Sequence, residues 1–188
     1  MLVDRIIGAF TFRKGVYAEV EHDTTFTAMA WVLVVGAAFL NAFGTGASNE
    51  VFSRLIGAGI GTVFTVIAFA VATFIISWIG KSMFGADVTF DEMVRTLGLA
   101  YVWNAVGVIG IVSIVSTTLS CVTAPFTFAA ALAGLVAWFV ATKEALDLAW
   151  GQTIVTVIVG WVVMLVISLF VGFLLSALGL GAAVLSGL

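Results

Sequence analysis

The chain has 188 residues, 63% of them hydrophobic and 9% charged, with a formal net charge of −3. A water-facing globular surface draws on roughly 25% charged residues, so this composition excludes a soluble domain and requires lipid around most of the perimeter. The charges form neither a basic patch nor an acidic tail, which excludes a nucleic-acid footprint. Cys121 is the only cysteine, which excludes an internal disulfide.

Residues 1–25 form the first unit. Leu2, Val3, Ile6, Ile7 and Phe10 recur at helical spacing, with Asp4, Arg5, Arg13 and Lys14 between or after them. The pattern predicts an amphipathic helix that lies in the membrane interface, packs on the protein's own face, or does both. Its early charges and short apolar stretch do not match a cleavable signal peptide, so the first span is expected to act as an uncleaved insertion signal. The stretch Tyr17–Thr25 is polar and acidic, and Thr24 or Thr25 is placed to cap the helix that follows.

Five apolar runs come next, at about 26–43, 55–79, 97–117, 124–142 and 153–175. A hydrocarbon core about 30 Å thick takes ~20 residues of helix, so the expected fold is all-α: one polytopic membrane bundle over residues 1–188 with five transmembrane helices. The first run ends in the turn Gly44–Glu50. The second begins near Arg54 and ends at Trp78–Lys81. In the loop before the third, Thr89 with Glu92 three residues on reads as a capping box. The third carries Arg95 at its entrance and Asn104 within. Pro125 suits the first turn of the fourth, whose short apolar core fits a full crossing through Thr142 or a re-entrant hairpin. Lys143–Asp147 makes a charged corner before the fifth, and Gly179, Gly181 and Gly187 loosen the C-terminal end.

With five crossings, Arg5, Arg13, Lys14, Lys81, Arg95 and Lys143 lie on one side and Arg54 on the other. Excess Lys and Arg mark the cytoplasmic side, so the N-terminus is expected in the cytoplasm and the C-terminus outside. Trp31, Trp78, Trp138 and Trp150 fall near the expected cytoplasmic helix ends, as an aromatic belt would; Trp103 and Trp161 lie deeper, as packing residues. Small residues let helices approach in lipid. Gly57 with Gly61, the Ala133/Ala137/Ala141 stripe, the Ser168/Gly172/Ser176 stripe and Gly98, Gly107 and Gly110 are the expected contact points, chiefly within one compact bundle.

The spans hold no ionisable residue near mid-membrane, which argues against an ion-coupled transporter. The intramembrane polar groups are Asn41 and Asn104; an interhelix hydrogen bond is the expected role of Asn104, with a ligand contact as its alternative. Glu19, His22 and Asp23 share one helix face, as metal ligands or as a solvated acidic collar. No serine has a nearby base, so no activated nucleophile is evident. Neither a catalytic set, a metal site nor a cofactor is expected.

Arg5-Ile-Ile-Gly8-Ala-Phe and Tyr17-Ala-Glu19-Val-Glu21-His-Asp23 resemble the start of bacterial YIP-domain proteins, kin of the Ypt/Rab-interacting membrane proteins of the eukaryotic Golgi and ER. Trp78, Phe84-Gly85-Ala-Asp87-Val-Thr89-Phe, Arg95-Thr-Leu-Gly98-Leu-Ala100 and Lys143-Glu144-Ala145-Leu-Asp147 extend the resemblance over nearly the whole chain. It implies a five-helix membrane bundle with a cytoplasmic N-terminus, here in a bacterial inner membrane. Rab binding does not carry over, because it relies largely on a long N-terminal region that is only about 25 residues here. Such proteins commonly place a proline where this chain has Trp103 or Asn104, so a proline kink is not expected in the third helix.

The expected function is non-enzymatic: an integral membrane protein that organises membrane lipids, protein partners or copies of itself through its cytoplasmic face. Arg5, Arg13, Lys14, Glu19, Glu21, Asp87, Glu92, Arg95, Glu144 and Asp147 are the interaction or ion-pair candidates, with Arg95 expected to pair with one of the carboxylates. The alternatives are an accessory subunit of a larger membrane complex and a small-molecule or lipid transporter. The transporter reading requires a cavity near Asn104, Ser113 and Ser116.

Overall fold

The computed structural model describes residues 2–46, 48, 50–114 and 117–177, excluding the side chains of residues 113, 114, 117–120, 167, 168 and 170–177. Helices α1 (Leu2–Phe10) and α2 (Val16–Glu21) precede a 3₁₀ turn at Thr24–Phe26 and helix α3 (Thr27–Thr45). Then come α4 (Val51–Phe84), α5 (Phe90–Ala100), a 3₁₀ segment (Tyr101–Ile114), α6 (Thr117–Leu146) and α7 (Trp150–Ala177). Among the described residues, four stretches are long and apolar enough to cross a membrane: Thr24–Thr45, Val51–Phe84, Phe90–Val112 and Cys121–Leu146; Trp150–Val166 of α7 is a shorter apolar helix.

The centre of the bundle is α3. It packs on α4, on α5 and most extensively on the 3₁₀ segment. Helix α6 lies against α5 and the 3₁₀ segment, and α7 packs on α4 and α6. The core gathers Ala30 and Val34 of α3, Phe69 and Ile76 of α4, Met93 and Leu97 of α5, and Ala137 and Ala141 of α6. Around Phe69 stand the rings of Trp31, Tyr101 and Trp138, with centroids 5.7, 5.3 and 5.9 Å away.

Close approach is written in glycine at the α3 seam. A Cβ on Gly98 would stand 3.0 Å from that of Ala30, one on Gly110 would stand 2.7 Å from the Gly44 carbonyl oxygen, and one on Gly107 would overlap the Asn41 amide. A 3₁₀ helix repeats every three residues, so Tyr101, Asn104, Gly107 and Gly110 form one file facing the bundle. Runs of 3₁₀ beyond three or four residues are uncommon, and this one has 14. The third apolar run thus changes winding at Tyr101, with no proline involved.

Several expectations are corrected. Pro125, expected in the first turn of the fourth helix, lies well inside it, and of the two forms open to that run the structure has the continuous helix, 30 residues long. Backbone groups in hydrocarbon must pair within the segment, so winding starts at Thr117 despite the N–H that Pro125 lacks. Asp23, not Thr24 or Thr25, caps the first span: its Oδ1 accepts the Thr25 N–H at 3.1 Å. Trp31 and Trp138 pack in the Phe69 cluster, whereas Trp78 and Trp150 are exposed at helix ends. A Cβ on Gly57 would find nothing within 4 Å, and one on Gly61 would meet only Ala42, so this pair makes no tight helix crossing within the chain. The Gly179, Gly181 and Gly187 expectation and the side chains of the Ser168/Gly172/Ser176 stripe lie outside the described residues.

The two kinds of glycine separate experimentally. Gly107→Ala is expected to lower stability by about 1–3 kcal/mol through overpacking, whereas Gly57→Ala is neutral or stabilising by up to about 1 kcal/mol. Thermal unfolding in detergent measures both.

Candidate functional site

The expected interaction residues gather at the end of the bundle where α1, α2, the α4–α5 link and the α6–α7 corner meet. Helix α1 turns Leu2, Ile6 and Phe10 onto the core and buries Gly8 and Ala9, leaving Val3 64% and Ile7 54% exposed. Arg5 holds its first half: Nη1 is 2.7 Å from Asp23 Oδ2, and the guanidinium lies 4.9 Å from the Phe26 ring centre. The Thr25 hydroxyl and Arg5 together hold the Asp23 carboxyl below its usual range. Trp103 holds the other end, donating from Nε1 to the Ala9 carbonyl at 3.3 Å and packing on Phe10 and Phe12.

A tight turn follows, with Phe12 and Gly15 at φ of 52° and 82°. Arg13 reaches across it to Glu19 at 2.7 Å, and Lys14 is exposed. Glu19 and Asp23 are thus engaged with arginines, and His22 between them is exposed. Tyr17 is buried with its hydroxyl unpartnered among the described residues, and burial pushes its pKa up.

Arg95 joins these elements. Its Nε donates to the carbonyls of Val20 (3.1 Å) and Glu21 (2.9 Å), Nη2 donates to the Glu21 carbonyl, and Nη1 donates to Thr27 Oγ1 at 3.1 Å. The expected carboxylate partner is therefore secondary: Glu92 Oε1 stands 4.0 Å away. Glu92 is occupied by the capping box, accepting the Thr89 N–H at 2.6 Å while its own N–H donates to Thr89 Oγ1. The last carbonyls of α2 have no partner within their helix, and the planar five-donor guanidinium meets several at once.

Beside this knot the Glu21 carboxyl is pushed above its usual range, first by burial and then by Asp147, with Glu92 and Glu144 adding and His22 opposing. Asp147 is exposed at a left-handed corner, Lys143 lies 4.0 Å from Glu144 and 5.6 Å from the Trp150 ring centre, and Asp87 is exposed in the link.

Asn41 and Asn104 are elsewhere. Both line a cavity of about 540 Å³ among α3, α4, the 3₁₀ segment, α6 and α7. Asn104 bonds within its own helix, donating from Nδ2 to the Tyr101 carbonyl at 3.3 Å, in place of the expected interhelix bond. The cavity sought near Asn104 is present; the side chains of Ser113 and Ser116 lie outside the described residues.

Sequence reasoning missed the role of Arg54. It is 3% exposed and donates from Nε to Ser48 O at 2.8 Å and from Nη1 to the carbonyls of Phe43 and Gly44 at 3.2 and 3.1 Å, closing the end of α3. The available signal was its place in the first turn of α4, where a cation opposes the helix dipole unless something negative faces it.

The Arg95 knot can be tested by substitution and by pH. Arg95→Met leaves the α2 carbonyls unmet, and is expected to cost about 1.5–3 kcal/mol more than Arg95→Lys, with protease cleavage appearing around α2. For Glu21, the unfolded carboxyl titrates near 4.5 and the folded one higher. The folded state holds the extra proton between those values, so this group's contribution to stability falls as pH rises through that window. Glu21→Gln is expected to flatten the unfolding midpoint over that range and to raise it at pH 7.

Neither the curated proteins nor the solved structures compared with the chain give a match. The Yip1 domain family model matches residues 7–173, most of the chain. With these apolar helices and that coverage, the chain belongs to the Yip1 domain family of membrane proteins.

Proposed function

We propose that this chain organises membrane lipids or protein partners, without catalysis, through the face built by α1, α2 and the Arg95 knot. The observation that carries the reading is α1 itself: one side packs on the bundle while Val3 and Ile7 stay exposed. An apolar stripe held in place by Arg5–Asp23 and Trp103–Ala9 suits insertion at the lipid interface or capture of a partner helix. In this reading the face is cytoplasmic, because six cations collect toward it and Arg54 alone lies at the far end. Helix α7, at 28 residues and about 42 Å, makes the fifth crossing, and the membrane is a bacterial inner membrane.

A second reading, a subunit of a larger membrane assembly, is favoured by the open Gly57 and Gly59 positions on α4, which leave room for a helix from outside.

The test uses the full chain solubilised in mild detergent, with co-purifying lipids and proteins identified by mass spectrometry. The double variant Val3→Ser/Ile7→Ser is expected to lose them at least several-fold while unfolding at the parent temperature. Unchanged recovery overturns the role of α1. Partners retained there but lost in Gly57→Leu favour the subunit reading. Reporters fused to the two termini are expected on opposite sides of the membrane.

A further inference from the structure

The cavity around Asn104 sits where water is scarce. Its walls come from the middles of the apolar helices, among them Phe69 of α4, Tyr101 and Asn104 of the 3₁₀ segment, Trp138 of α6 and Trp161 of α7. Here α4 meets α6 through the Phe69–Trp138 ring pair and otherwise packs on α3, α5 and α7, while α6 packs on α5, the 3₁₀ segment and α7. At about 540 Å³ it falls within the range of small-molecule sites, and its aromatic lining with a few polar groups fits their usual make-up.

Three observations define what fits it. None of the described lining residues is charged, so a charged headgroup inside would stay unpaired at high cost. The polar groups on its wall are uncharged amides and hydroxyls, among them Asn41, Asn104 and Thr127, and an amide can donate to an ester or hydroxyl oxygen. Ala68, Ala131 and Leu135 line it and are exposed, so the cavity is reachable from outside the bundle.

We propose that this cavity is a binding site for an uncharged membrane lipid. The lipid enters past Ala68, Ala131 and Leu135, its ester or hydroxyl oxygen accepts from the Asn104 amide, and its carbon skeleton lies against the rings of Phe69, Tyr101 and Trp161. This site is separate from the α1 face and does not rest on the function proposed for it.

The probe is 1,2-dioctanoylglycerol, with dioctanoylphosphatidylglycerol as an anionic counterpart of equal chain length. Added to the full chain in detergent, the uncharged lipid is expected to raise the unfolding temperature saturably by several degrees, and the anionic one by less than half as much. Asn104→Leu keeps the side-chain size but removes the amide donor, and is expected to weaken binding about tenfold. Ala131→Trp fills the mouth and is expected to abolish the shift; it decides the matter should Asn104→Leu fail to fold. A missing shift, an equal shift from both lipids, or a shift unaffected by these variants overturns the proposal. Val3→Ser/Ile7→Ser is expected to leave the shift intact, which keeps this result distinct from failure of the α1 reading.

Discussion

Helix ends are the costliest parts of a membrane bundle, because their last carbonyls have no intrahelical partner and hydrocarbon offers none. This chain meets that constraint with arginine at two places. Arg95 satisfies the end of α2, and Arg54 the end of α3. Each guanidinium projects from one helix and reaches the negative end of another, where a cation is favoured. The resulting contacts tie the surface segments to the membrane core at one end and close the first hairpin at the other.

From that arrangement follow the two regions with functional character. At the Arg95 end, short helices that could not persist alone are held by side-chain bonds, and this leaves an apolar strip of α1 facing outward. In the middle, the close α3 contact with the 3₁₀ segment draws those elements together, and the aromatic-lined cavity is the space left beside the Phe69–Trp138 pair where α4 meets α6. In the functions proposed for them, one region addresses the surface of the bilayer and the other its interior.

Much of this was legible in the residues because it rests on local rules. Thr89 and Glu92 form the capping box that their spacing implies, and Gly98, Gly107 and Gly110 mark close contacts where no side chain fits. The helical character follows from the length and apolarity of the runs. What was not legible depends on distant partners. Nothing near Arg95 in sequence points to Val20 and Glu21, more than 70 positions away. Trp31 and Trp138 carry the composition of an interfacial belt, and only tertiary packing places them around Phe69. The continuation of α6 past Pro125 reflects lipid overriding a local breaker. The cavity is a property of how five elements pack around one space, and no motif encodes it.

The winding of the third apolar run has a consequence for reach. A 3₁₀ helix climbs about 2.0 Å per residue against about 1.5 Å for an α-helix. The 14 residues from Tyr101 to Ile114 therefore cover about 28 Å, close to the full hydrocarbon depth of about 30 Å. An α-helix would need about 19 residues for the same distance. The slimmer rod thus has nearly the length of a bilayer's hydrocarbon depth with about a quarter fewer residues, and tallying residues alone understates how far this part of the chain extends.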